Sequence, residues 1–224
     1  MYHSMDATIG RDSHEFWLYG GTGNYQRIND ITSPLMDNVL FGIKDEAYPY
    51  YREVPWGTAD KVADLTDCSD TTDDTTGALC PTHEDAGWVI HLSNYKKVTA
   101  EPTVSSGLVY FPIYKPSSSV NKCSLGDAFI CAVDDECGTN ISSLLGKNTG
   151  ATKNEKCKYV GQGVLSRIVT FAGKIFANIA GNVDCDLIKD KAKRAECKAA
   201  KDLVILQGAT SDVTTYRSSW RNNY

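Results

Sequence analysis

Apolar positions gather on both sides of a short polar break in the segment Val98 to Tyr114, VTAEPTVSSGLVYFPIY, where Val104, Val109 and Phe111 flank the run Ser105-Ser106-Gly107. Apolar positions on both sides of a glycine-containing turn predict two β-strands joined as a hairpin. The segment Val164 to Ile179, VLSRIVTFAGKIFANI, repeats this pattern at a constant offset of 66 residues, with Val98 aligned to Val164, Gly107 to Gly173, Val109 to Ile175 and Tyr110 to Phe176. Such self-similarity marks small sheets that cannot bury both faces alone and stack on their neighbours. The fold class predicted is all-β, a partial β-propeller of about three to four blades with disulfide-stapled loops and a short helical insertion. Two unrelated hairpins in a β-sandwich are the competing reading.

Around these hairpins the chain supplies further strands. Glu15 to Tyr25, EFWLYGGTGNY, joins a strand at Phe16 to Tyr19 to the glycine run Gly20-Gly21-Thr22-Gly23. A glycine run can cradle phosphate, but the polar loop Asn24 to Pro34 follows instead of a helix, and no Lys-Ser/Thr pair is present. The glycines are expected to let a strand end pack tightly against the next blade. Asn38 to Asp45, NVLFGIKD, is the next strand. The aromatic cluster Tyr48, Tyr50, Tyr51 and Trp56 reads as the packed side of a loop rather than a binding surface. Gly87 to Leu92, GWVIHL, leads into the first hairpin, and its His91 reads as a packed or surface residue rather than a base. Ala128 to Asp134, AFICAVD, is a buried strand ending in the turn Asp134-Asp135-Glu136-Cys137-Gly138. Leu203 to Leu206 and Val213 to Trp220 return the chain to strand, and the last of these is expected to close the sheet.

Two segments break the strand pattern. Residues 60–85 form an acidic insertion with Asp64, Asp67, Asp70, Asp73 and Asp74 between Cys68 and Cys80 and just before them. Oxygen-rich loops hold calcium, but the glycine and glutamate of the twelve-residue helix-loop-helix site are missing, so a solvated loop closed by a Cys68–Cys80 bridge is predicted and no metal site is assigned. Residues 184–201, DCDLIKDKAKRAECKAAK, form a basic helical insertion. Cys185 and Cys197 would lie about 18 Å apart in one straight helix, whereas a disulfide needs Cα atoms within roughly 7 Å. If they pair, the segment folds back on itself. Its basic face is a solvated one, or meets an acidic partner.

Composition narrows the functional classes. The 224 residues suffice for one large all-β domain or two small ones. Basic residues number 23 against 28 acidic, for a net charge of -5, and only Lys189 to Lys201 is locally basic, which argues against nucleic acid as a partner. No apolar run is long enough to span a bilayer. The first residues lack the basic start and apolar core of a signal peptide, so an exported chain of this kind is expected to be a fragment, a mature form or one half of something larger.

The eight cysteines, Cys68, Cys80, Cys123, Cys131, Cys137, Cys157, Cys185 and Cys197, contain no CxxC pair. Of His3, His14, His83 and His91 only His83 lies near a cysteine, so zinc spacing is absent. Disulfides are predicted, and with them an oxidising compartment. Two bridges are expected among Cys123, Cys131, Cys137 and Cys157; Cys123–Cys157 with Cys131–Cys137 is preferred, and the spacing leaves the other pairings open.

Taken in order, FWLYGGTGNY, NVLFGIKD, GWVIHL, KKVTAEPTVSSGLVYFPIYKPSSSVNKCSLGDAFICAVD and VGQGVLSRIVTF resemble the C-terminal propeller domain of the PilY-type proteins, the tip-associated adhesins of bacterial type IV pili. The resemblance covers roughly residues 15 to 180. It implies that residues 1–224 are the C-terminal part of a propeller, with the missing blades supplied by the rest of the protein or by a partner chain. It also implies a non-enzymatic role in adhesion and pilus biogenesis, partners among the minor pilins and host or abiotic surfaces, and a location at the pilus tip reached through the periplasm. The family's calcium loop has no counterpart here, and the glycine-rich stretch after Cys-Ser shrinks to Ser124-Leu125-Gly126-Asp127. The alternative is a propeller quinoprotein-like oxidoreductase, but the convergent carboxylate and amide groups that such chemistry needs are not evident, and the GxSxG form of a nucleophile elbow is absent. A pilus subunit proper would require an apolar N-terminal helix, and none is present.

Overall fold

Three antiparallel sheets follow one another along the chain in the computed structural model, which describes residues 3–23, 38–45, 48–49, 64–69, 80–82, 84–117, 125–139, 156–180, 191, 194–195 and 203–208. The first sheet contains β1 (Asp6–Ile9), β2 (Phe16–Gly21), β3 (Asn38–Asp45), β4 (Thr66–Asp67) and β5 (Gly87–Leu92), in the order β1-β2-β3-β5-β4. Among the described strands only the short β4 runs parallel to its neighbour. The second sheet contains β6 (Lys97–Val98), β7 (Thr103–Ser105), β8 (Leu108–Lys115), β9 (Asp127–Asp134) and β10 (Cys157–Gln162). Its β6 and β7 both pair with β8, which pairs with β9 and so reaches β10. The third sheet repeats this plan with β11 (Val164–Leu165) and β12 (Val169–Phe171) on β13 (Lys174–Ala180), and β13 on β14 (Leu203–Gln207).

Turn chemistry fixes the repeated register. Ser106 and Gly107 have φ of 56° and 77°, and Ala172 and Gly173 have 50° and 70°. Two successive left-handed residues make the two-residue hairpin turn whose twist matches that of the flanking strands. Thr103 therefore faces Tyr110 and Val104 faces Val109, while Val169 faces Phe176 and Thr170 faces Ile175, the same pairs displaced by 66 positions. Beyond the hairpins the offset changes by one. Val98 lies opposite Ile113, but Leu165, not Val164, lies opposite Ile179, because residues 99–102 separate β6 from β7 whereas only 166–168 separate β11 from β12.

The second sheet is buried on both faces. Val98, Val109, Phe111, Ile113, Cys131 and Val133 pack against Trp17, Tyr19, Leu40, Trp88, Ile90 and Leu92 of the first sheet. Leu108, Tyr110, Ala128, Ile130 and Ala132 pack against Leu165, Ile168, Ile175, Ala177 and Val204 of the third. This is why β8 reads as an unbroken apolar run, with Leu108 through Tyr114 all buried: successive side chains alternate between two covered faces. Trp88 meets the edge of Phe111 at 6.3 Å and 85° across the first interface.

The glycine run ends β2 against the second sheet, as expected. A Cβ on Gly21 would overlap Val98, and one on Gly23 would lie 2.9 Å from the Cβ of Lys97. In the 184–201 segment Lys191, Arg194 and Ala195 have helical backbone; the rest of it, with Cys185 and Cys197, lies outside the described residues, as do Cys123 and Val213 to Trp220. Among the described residues no helix is long and apolar enough to cross a membrane.

Candidate functional site

The turn that follows β9 joins the second sheet to the first through several polar contacts. Asp134 Oδ1 accepts the amides of Glu136 at 3.0 Å and Cys137 at 2.9 Å, so the aspartate side chain shapes its own turn. Gly138, at φ 64°, closes the turn with its amide donating to the Asp134 carbonyl at 3.0 Å. A Cβ there would sit 2.7 Å from Cδ2 of Trp88.

From this turn three groups reach outward. The Asp135 carbonyl accepts the Trp88 indole N–H at 2.9 Å, while the Asp135 amide donates to the Gly107 carbonyl at 3.2 Å. Glu136 extends its carboxylate over the β1–β2 connection, where Oε1 accepts the Asp12 amide at 2.8 Å and Oε2 the Ser13 amide at 2.9 Å. Cys137 forms a disulfide with Cys80. Five consecutive residues thus tie the end of the second sheet to three separate parts of the first.

Electrostatics at this seam follow from burial. The Asp135 carboxyl is buried, and desolvation together with the neighbouring Asp134 and Glu136 carboxylates pushes it up to about 6. Burial also raises Asp134, against the two amide hydrogen bonds that favour its charged form. Tyr19, fully buried on β2, carries a hydroxyl without a hydrogen-bond partner among the described residues. Burial first, then the charges of Asp135, Glu136, Asp134 and Asp6, hold its phenol far above the ordinary range, so it stays neutral.

Two buried lysines secure the loops of the 60–85 segment. Lys44 donates to the Thr82 carbonyl at 2.7 Å, pairs with Glu15 at 3.3 Å and lies 5.5 Å from the Trp17 ring. Lys156 donates to the Cys68 carbonyl. Asp67 feels burial most, which raises it, but hydrogen bonds from the Ser69 hydroxyl and amide outweigh this and hold it below its usual value. Of the acidic residues weighed for calcium, Asp64 and Asp67 are described and Asp70, Asp73 and Asp74 lie outside the described residues. Among the described residues no three His, Cys, Asp or Glu side chains converge to hold a metal.

The cysteine pairing differs from the expected one. Cys80 bonds to Cys137 rather than to Cys68, and Cys131 bonds to Cys157 rather than to Cys137. Cross-strand register accounts for the second pair, since Cys157 on β10 stands directly opposite Cys131 on β9. Sheet stacking accounts for the first, because the turn after β9 lies over the first sheet. The Cys68 thiol, buried, donates to the Cys137 carbonyl at 3.2 Å. Both described bridges therefore staple strands or sheets together, and neither closes the 60–85 loop on itself.

Of the aromatic cluster only Tyr48 is described, stacked on Phe16 at 5.3 Å, and Tyr50, Tyr51 and Trp56 lie outside the described residues. His91 is exposed on β5. The contacts of Glu136 with Asp12 and Ser13 had no local signal in the sequence, because the partners are more than 120 residues apart.

No protein-family model and no curated protein matches the chain. Among solved structures the chain is similar to the crystal structure of the C-terminal domain of Pseudomonas aeruginosa PilY1. The two chains are 11% identical with a TM-score of 0.49, over 80% of this chain and 43% of the PilY1 chain. The likeness thus spans less than half of that structure.

Proposed function

We propose that this chain is a type IV pilus tip-associated protein of the PilY kind, acting in adhesion and pilus assembly without catalysis of its own. The observation that carries the reading is the fate of the ordered motifs. FWLYGG becomes β2, NVLFGIKD β3 and GWVIHL β5 of the first sheet, TVSSGLVYFPIYK the β7–β8 hairpin of the second with AFICAVD within its β9, and VGQGVLSRIVTF runs from the end of β10 through β11 and β12 of the third, so the quoted motifs supply strands to all three stacked sheets. Those sheets are read as successive propeller blades, the remaining blades coming from the rest of the protein or from a partner chain. The carboxylates of the seam support a structural role, since Asp134 and Glu136 are occupied by backbone amides. Two disulfides suit an extracytoplasmic location, and loops borne on a rigid β scaffold suit the recognition of minor pilins and external surfaces.

The test is purification of the native assembly under non-reducing conditions, with mass spectrometry of everything that travels with the chain. Co-purification with minor pilins and with sheared pili is expected. Free thiols at Cys80, Cys131, Cys137 and Cys157, with no pilus component in the fraction, would reject both the location and the role.

A further inference from the structure

Three cysteines meet where the first sheet touches the turn after β9. Cys137, in that turn, is bonded to Cys80. Cys68, the residue after β4, is fully buried among the core side chains of the first interface. Its amide donates to the Val89 carbonyl at 2.8 Å, which continues the pairing of β4 with β5, and its thiol donates to the Cys137 carbonyl at 3.2 Å. Backbone fixed by the sheet thus holds a reduced sulfur against one half of the bridge.

Charge around these sulfurs gives the exchange a direction. Lys156, 6% exposed, donates to the Cys68 carbonyl, and a cation beside a cysteine favours the thiolate, the form that attacks a disulfide. Cys80 is half-buried where Cys68 is closed off, and Lys44 donates to the Thr82 carbonyl two residues further on at 2.7 Å. Cys137 follows Glu136 directly and donates its amide to the Asp134 carboxylate. A thiolate released at Cys80 therefore leaves toward water on a segment that a lysine holds, whereas one released at Cys137 would meet the negative charge of Asp134 and Glu136.

We propose that Cys68, Cys80 and Cys137 form a thiol–disulfide exchange site that hands the staple between the sheets from Cys80 to Cys68. The Cys68 thiolate attacks Sγ of Cys137, a Cys68–Cys137 bond forms as the Cys80–Cys137 bond breaks, and the electron pair leaves on Cys80, which takes up the proton that Cys68 gave up. One thiol and one disulfide stand on each side, so no outside oxidant or reductant enters. The sheets stay linked, because Cys68 follows β4 and Cys80 precedes β5 of the same sheet, while the thiol moves from the core to a half-buried position.

The experiment traps the exchanged form. The disulfide-intact full chain is held in excess N-ethylmaleimide at pH 8 without denaturant, quenched in acid and peptide-mapped without reductant. The expected product carries the adduct on Cys80 together with a Cys68–Cys137 bond, and Cys68→Ala is expected to slow labelling of Cys80 about tenfold or more. An adduct on Cys68 with Cys80–Cys137 intact overturns the proposal, since the buried thiol is then reached by opening rather than consumed by exchange. A Cys80 adduct with Cys137 linked to any cysteine other than Cys68 overturns it as well, as does the absence of an adduct at both positions. If Cys68→Ala loses its near-ultraviolet circular dichroism, Cys80→Ala decides: a Cys68–Cys137 bond in the natively purified variant is expected, and thiols at both positions overturn the exchange.

Discussion

Replacing Asp135 with asparagine should make the protein more stable at neutral pH, and the amount follows from the seam. The folded-state carboxyl is pushed from its ordinary 3.8 to about 6 by burial and by the charges of Asp134 and Glu136. Between these values the folded chain binds a proton that the unfolded chain releases, so stability falls as pH rises from about 4 to about 6 and stays low above it. At about 1.4 kcal/mol per pH unit the upper bound is about 3 kcal/mol, and relaxation of a charged seam reduces this to about 1–3 kcal/mol. Asparagine keeps the backbone amide and carbonyl that bond to Gly107 and Trp88 and loses only the titrating charge. The assay is urea unfolding of wild type and Asp135→Asn at pH 4 and pH 8. Equal stability is expected at pH 4, with a higher midpoint and unchanged slope for the variant at pH 8. A difference of the same size at both pH values, or a variant weaker at pH 8, would refute the burial argument.

Other contacts yield further expectations. Cys131→Ser opens a bridge spanning 26 residues, and the loop-entropy relation puts its cost at about 3.5 kcal/mol, read as a lower denaturation midpoint; peptide mapping without reductant should recover Cys80–Cys137 and Cys131–Cys157 as the linked pairs. Gly138→Ala places a methyl group against Trp88 at a left-handed φ and should cost about 1–3 kcal/mol, visible as a change in tryptophan fluorescence along with the lower midpoint. Glu136→Gln weakens two charge-assisted bonds to amides of the β1–β2 connection and should speed hydrogen exchange at Asp12 and Ser13 while leaving the Trp88 indole protected. Phe111→Ala removes a fully buried ring from the first interface and should cost about 3–5 kcal/mol in thermal or urea unfolding.

The parts of the fold that can be read from sequence are those decided locally. Ser106-Gly107 and Ala172-Gly173 encode the turn, the flanking apolar positions encode the strands, and the 66-residue repeat survives as a repeat of register. The one-residue change of offset before the second hairpin is not readable, because it arises from the shorter gap between β11 and β12. β10 is obscured by Gly161, where the ladder shifts register against β9. The disulfides are illegible for a related reason: Cys131 meets Cys157 only because β10 adds to β9, and Cys80 meets Cys137 only because one sheet lies on the next. Likewise the turn Asp134 to Gly138 announces itself by composition, while its grip on Asp12, Ser13 and Trp88 depends on stacking that no short stretch of sequence contains.

The gaps that interrupt the first strand of each repeated sheet do more than bend it. In the second sheet Thr99 donates its hydroxyl to the Leu165 carbonyl at 3.0 Å and Thr103 to the Ile168 carbonyl at 2.6 Å. These two directed rungs set where the third sheet sits, since apolar surfaces alone would tolerate sliding. In the third sheet the position of Thr103 is taken by Val169, and the hydroxyl that follows Leu165, that of Ser166, serves its own sheet by accepting the Asn178 amide and donating to the Arg167 carbonyl. Among the described residues the positional lock is thus passed forward once, from the second sheet to the third, whose own place in the stack is fixed by two hydroxyls it does not carry.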